Sequence, residues 1–137
     1  AQHFSARALT DRNKTLWCGF VLHTKLGPVY FAGDTGYGPF VQKIAERFSA
    51  FRFAMIPIGA YLPEWFMHPV HVSPDEALRM HRELNVTTSM AIHFGTFHLA
   101  DDGQDEAPTH LLASRALLPE PKPDFRVIEN GESITIA

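Results

Sequence analysis

The run Val29-Tyr30-Phe31-Ala32-Gly33-Asp34-Thr35-Gly36-Tyr37-Gly38 constrains this chain more than any other stretch. Val29 to Ala32 is a short apolar run closed by a glycine, the pattern of a strand covered on both faces. It delivers one carboxylate, Asp34, into a turn relaxed by Gly36 and Gly38, and a helix opens at Pro39. A carboxylate at the carboxyl end of such a strand stands where α/β sheets place their chemistry. The same residue suits a helix cap or an Asx turn equally well. The remaining sequence has to weigh the two.

Composition narrows the field. Of 137 residues, 45% are hydrophobic, enough for one domain with a real core. Twelve Lys and Arg stand against fifteen Asp and Glu, and no basic cluster exceeds what a solvated surface carries, so no nucleic-acid partner is expected. Cys18 is single and lies in an apolar run, so it forms no intrachain disulfide and is expected to pack as a small hydrophobe. That fits a reducing, cytoplasmic setting. No run approaches eighteen apolar residues, and the N-terminus lacks a signal-peptide pattern. Eight histidines are many for this length and point to metal or acid–base chemistry. The chain opens Ala1-Gln2-His3-Phe4-Ser5 without an initiator Met, which reads as a piece of a larger fold.

Taken in order, residues 1–13 are polar and without period, a loop. Lys14 to Thr24 is aromatic and β-branched enough for a strand, and Gly27-Pro28 turns it into the strand at Val29 as a hairpin. Phe40, Val41, Ile44, Ala45 and Phe48 form one helical stripe. Phe51 to Ile58 is the next strand, followed by a long loop, Gly59 to His71, that carries aromatic residues with His68 and His71. Ser73-Pro74-Asp75-Glu76 is a helix start with a capping box. Its apolar stripe includes His81, which is expected to be a satisfied core histidine. Ser89 to Ile92 is a third buried strand ending on His93. A helix over 108–118 is stopped by prolines, and Phe125 to Glu129, Asn130-Gly131 and Ser133 to Ile136 predict a closing hairpin.

Alternating strands and helices after residue 29 imply right-handed βαβ units and a partly parallel sheet with a hairpin at each end. Parallel strands share direction, so Asp34, His93 and the loop bearing His68 and His71 open onto one sheet edge. A carboxylate with several imidazoles is a ligand set for a first-row metal whose bound water becomes a nucleophile.

Several motifs in fixed order also resemble a known family: Gln2-His3-Phe4-Ser5, Phe31-Ala32-Gly33-Asp34-Thr35-Gly36-Tyr37, Ile56-Pro57-Ile58-Gly59-Ala60-Tyr61, Trp65-Phe66-Met67, His71-Val72 with Pro74, and Ala91-Ile92-His93-Phe94-Gly95-Thr96-Phe97. Together they resemble the C-terminal half of the metallo-β-lactamase superfamily, in the branch of N-acyl-phosphatidylethanolamine phospholipase D and its bacterial relatives. The resemblance is dense over residues 1 to about 98 and weak beyond.

The resemblance implies an α/β fold, one half of an αββα sandwich, with a mixed sheet and helices on its outer face. It implies that His3 binds one zinc, Asp34 bridges two, His93 binds the second, and His71 contacts the substrate phosphate or assists proton transfer. Iron or manganese would suit the same ligands. The superfamily's His-x-His-x-Asp-His motif is absent from these residues, so the missing N-terminal half, or another copy of the chain, is the expected partner. The expected activity is phosphodiester hydrolysis, with a phospholipid or small-molecule substrate and membrane contact through the parent protein. Tyr61, Leu62, Trp65, Phe66 and Met67 suit either a fatty substrate or a loop packed on the core. A lactonase or other C–O hydrolase, or a half-domain that only binds or oligomerises, are the alternatives.

Overall fold

The computed structural model describes residues 1–136. In chain order the elements are β1 (Phe20–Leu22), β2 (Val29–Phe31), α1 (Phe40–Phe48), β3 (Phe51–Pro57), α2 (Glu64–Met67), α3 (Pro74–Glu83), β4 (Val86–Ile92), α4 (Glu106–Leu117) and β5 (Phe125–Arg126). The strands form one sheet in the order β1-β2-β3-β4-β5. β1 runs antiparallel to β2, and the other neighbours are parallel. This is the mixed sheet the βαβ alternation predicts.

Register decides which face each side chain takes. Tyr30, Ala54, Ser89 and Phe125 pair across β2 to β5, and all four are buried. The helices cover this row: Val41 of α1, Ala77 and Met80 of α3 and Leu111 of α4 share one core with Tyr30, Ala54, Ile56, Ala91 and Phe125. The adjacent row, Phe20, Phe31, Met55 and Met90, lies on the opposite face and stays partly or fully exposed. Helices on one face and an open apolar face on the other match the expected single layer of a sandwich.

The start of α3 follows its sequence closely. Ser73 Oγ accepts from the Glu76 amide at 3.3 Å, and the Glu76 carboxylate accepts from the Ser73 amide at 3.0 Å, with Pro74 opening the helix. Further along, buried His81 places Nδ1 2.8 Å from Ser89 Oγ, tying α3 to β4. Burial pushes its pKa down to about 4. His81 is therefore a neutral core histidine, as its position on the apolar stripe predicts.

Five expectations need correction. The first strand is confined to Phe20–Leu22, because only that part finds the β2 backbone, and Cys18 ahead of it is exposed rather than packed. The long loop contains a helical turn, α2, which splits its aromatic set. Tyr61 and Met67 are buried, whereas Trp65 is 83% exposed and Phe66 is also on the surface. The last helix begins at Glu106, two residues earlier than predicted. The closing hairpin is not formed among the described residues. The Asn130-Gly131 turn is present, with Glu132 N donating to Glu129 O at 3.1 Å, but β5 pairs parallel with β4 and 127–136 join no ladder. No helix of the described residues is long and apolar enough to cross a membrane.

Candidate metal centre

The parallel β2, β3 and β4 bring their carboxyl ends to one edge. Asp34 follows β2, His93 follows β4, and His71 lies in the loop between β3 and α3. His3 comes from the N-terminal segment, which Gln2 docks on both neighbouring loops. Gln2 N donates to Thr35 Oγ1 at 2.7 Å and Gly36 N donates to Gln2 O at 2.8 Å. The Gln2 amide group donates to Tyr37 O and Pro69 O, each at 3.1 Å. One side chain thus fixes His3 relative to both Asp34 and His71.

Two glycines permit the close approach. A Cβ at Gly36 would lie 2.7 Å from the Pro69 carbonyl, and one at Gly59 would lie 2.3 Å from His93 O. His93 itself has φ of 62°, a left-handed conformation that costs a residue with a Cβ about 1 kcal/mol or more and clusters at functional sites.

Three imidazoles face one carboxylate. His3 Nε2 lies 3.3 Å from Asp34 Oδ2, His71 Nε2 lies 3.3 Å from Asp34 Oδ1, and His93 Nε2 lies 3.7 Å from Asp34 Oδ2. All four side chains are largely withdrawn from solvent. Asp34 Oδ1 is buried and accepts no hydrogen bond, and neither does buried His71 Nδ1 take part in one. Native proteins rarely leave a buried carboxylate oxygen unsatisfied without a reason such as an ion. The spacing supports that reason: ligands about 2.0–2.1 Å from a tetrahedral zinc stand about 3.3 Å from one another. The ligand atoms of His3, Asp34 and His71 form the compact group, all within 4.8 Å of each other.

Protonation states agree. The Phe4 carbonyl can only accept, so His3 Nδ1, 2.8 Å away, carries a proton toward it and Nε2 is the ring atom that faces Asp34. Trp17 packs tilted against the same ring, with centroids 4.3 Å apart, and donates from Nε1 to Phe4 O at 3.0 Å. Burial raises the Asp34 carboxyl, but the His71 contact and the charges of His93, His71 and His3 outweigh it and hold the group below its ordinary value. Asp34 is ionised, as a metal ligand must be.

The four residues singled out in the sequence therefore meet in one place. His68 does not join them; it is exposed and lies 3.5 Å from Glu76. His23 and His98 are exposed, while His110 bonds Tyr61 and Asp75. Gln2 and Trp17 are the contributors that sequence reasoning missed. The one hint for Gln2 is its place beside His3, and nothing local marks Trp17.

The family model described as "Beta-lactamase superfamily domain" matches residues 1–94. The chain belongs to this family. It is similar to N-acyl-phosphatidylethanolamine-hydrolyzing phospholipase D 1 of Caenorhabditis elegans, 43% identical over 98 residues that cover 71% of this chain and 28% of that protein. The mitochondrial N-acyl-phosphatidylethanolamine-hydrolyzing phospholipase D of Saccharomyces cerevisiae is 41% identical over 105 residues, covering 74% of this chain and 22% of that one. The matched stretch thus spans about a quarter of the length of these two relatives. Among solved structures, isothiocyanate hydrolase from Delia radicum gut bacteria superposes with a TM-score of 0.66 at 21% identity, covering 88% of this chain and 44% of that one. That likeness establishes a metallo-β-lactamase fold. A UPF0173 metal-dependent hydrolase of Myxococcus xanthus is also similar, 32% identical over 130 residues that cover 88% of this chain and 43% of that one, and the donor set around Asp34 fits a metal.

Proposed function

We propose that this chain carries part of the active site of a metal-dependent phosphodiester hydrolase of the N-acyl-phosphatidylethanolamine phospholipase D kind. The observation that carries the reading is the convergence of His3, His71 and His93 on buried Asp34, whose Oδ1 has no hydrogen-bond partner. Similarity to the worm and yeast enzymes supports the phosphodiester as the bond attacked.

His3, Asp34 and His93 would hold the metal, with zinc, iron and manganese all suited to imidazole and carboxylate. When bound, such an ion lowers the pKa of water and offsets charge on phosphate oxygens. The chain's own residues do the rest. Asp34 offers Oδ2 toward His3 and His93 and Oδ1 toward His71. Phe4 O accepts from His3 Nδ1, which leaves Nε2 as the ring atom turned toward Asp34. His71 would bind a phosphate oxygen or pass a proton at a ring nitrogen. Gln2 and Trp17 hold the His3 ring in place while the others act.

A second arrangement has a specific observation in its favour. The compact group consists of His3, Asp34 and His71, with His93 farther out, so His71 would be the ligand and His93 the residue nearer the substrate. His71→Ala and His93→Ala separate the two, because the ligand's loss lowers zinc affinity at least tenfold.

The remaining ligands would come from the rest of a longer polypeptide or from another copy. The assay is therefore run on the zinc-loaded chain, alone and fused to the unmatched remainder of the C. elegans relative. Bis-p-nitrophenyl phosphate is compared with a panel of lactones. Cleavage of the phosphodiester by the fusion, abolished by Asp34→Asn, is expected. Turnover of lactones alone would replace this reading with a C–O hydrolase. No turnover of either would support a half-domain that only binds.

A further inference from the structure

Tyr37 lies three residues past Asp34, on the far limb of the turn that follows β2. The sheet holds the near limb, where Ala32 N donates to Met55 O at 3.0 Å. The far limb contains Gly36 and Gly38, whose backbone freedom leaves its path open locally. The Tyr37 side chain joins this limb to α3. Its Oη lies 2.9 Å and 2.8 Å from the two carboxylate oxygens of Glu83, which share its proton. Burial and this hydrogen bond both raise the Tyr37 phenol above its ordinary value, so it stays a donor.

Glu83 is itself held. Arg79, one turn back on α3, reaches it through Nε at 2.8 Å, and the Arg79 guanidinium lies over the Tyr37 ring, 4.6 Å from its centroid. The main chain of the same residue serves the metal side. Tyr37 O accepts from Gln2 Nε2 at 3.1 Å, and the preceding Gly36 N donates to Gln2 O at 2.8 Å. His3 is the next residue after Gln2. An unbroken line of bonded groups therefore runs from α3 through Tyr37 and Gln2 to His3, while Asp34 is held separately from the β2 side.

We propose that Tyr37 is a positioning residue: anchored on Glu83 and Arg79, it sets where Gln2, and through it His3, stands relative to Asp34. Its effect on zinc rests on the metal-centre reading above; its effect on the His3 ring does not. Tyr37→Phe removes the hydroxyl and keeps the ring under Arg79, so the packing survives. Two readouts are followed in the full chain. The first is zinc affinity, by competition with a chromogenic chelator. The second is the chemical shift of the His3 Cε1 and Cδ2 protons in the zinc-free chain, assigned with His3→Gln. Those protons feel the ring current of Trp17, whose ring centroid is 4.3 Å from that of His3, so they report where His3 sits.

Tyr37→Phe should shift the His3 protons and weaken zinc binding about fivefold. Glu83→Ala removes the acceptor instead of the donor and should reproduce both changes. Because Tyr37 acts through Gln2, Tyr37→Phe combined with Gln2→Ala should bind zinc about as weakly as Gln2→Ala alone. Independent roles would multiply the two losses. Unmoved His3 protons in both Tyr37→Phe and Glu83→Ala, or losses that multiply in the double variant, would overturn the proposal. If the unsubstituted chain takes no zinc, the metal-centre reading falls and the His3 shifts still decide the positioning role. If zinc binds and neither variant changes it or the His3 shifts, the metal centre stands and the positioning role falls.

Discussion

At the scale of single residues, Asp34 and His81 show opposite uses of a buried titratable group. Asp34 is kept charged among imidazoles with one oxygen left over, whereas His81 is kept neutral by burial against Ser89. The His81 case fixes a pH dependence. Its folded pKa of about 4 lies below the ordinary value of 6.5, so the unfolded chain binds a proton first as pH falls. The stability that neutral His81 represents is complete above pH 6.5 and drains away between 6.5 and 4, by about 3 kcal/mol in all. Urea unfolding from pH 7 to 4 checks this, and His81→Gln should flatten the slope in that window. Gln2 gives a second prediction. Its side chain ties the segment carrying His3 to Tyr37 O and Pro69 O, so Gln2→Ala should weaken zinc binding about tenfold with only a small drop in melting temperature. Titration against a chromogenic chelator measures it. Asp34, His71 and His93 were legible in the sequence because each sits just past a strand or in the loop after one. The role of Gln2 was not, since it depends on partners 33 to 67 residues away.

At the scale of elements, local signals held where the partner was local. The Ser73 capping box and its helix appear as the sequence implies. Ser73→Ala should cost about 1 kcal/mol in thermal or urea unfolding, the usual worth of such a cap. The Asn130-Gly131 turn also forms, but the hairpin expected around it does not, because Phe125 is drawn into a parallel edge beside Ser89. Turn chemistry specifies a bend; it does not specify which strand wins the flanking residues. Lys14 to Thr24 failed similarly, with β-propensity along its length and a ladder partner for only three residues. Gly36 and Gly59 carry the joints between elements, and adding a methyl at Gly36 would push the Pro69 carbonyl away from the Asp34 turn. Gly36→Ala should therefore lower both zinc affinity and stability, unlike Gln2→Ala.

At the scale of the whole molecule, the uncovered sheet face dominates. Phe20 and Leu22 are exposed on it, and Phe31, Met55 and Met90 are half-buried. An apolar face of this kind marks an association surface. The chain is expected to self-associate or to be stabilised by a covering polypeptide, and a well-folded, stable monomer in sedimentation velocity would contradict that. Sequence alone indicated this face through the half-sandwich resemblance, and the register of β1 to β4 now assigns its residues.

The most direct test of the Asp34-centred site is the zinc content of the purified chain after saturation and desalting, measured beside Asp34→Asn. Three imidazoles around one carboxylate should retain about one zinc per chain, and the substitution should remove it. Zinc retained equally by Asp34→Asn, or none retained by the unsubstituted chain, would show that these residues do not form a metal centre.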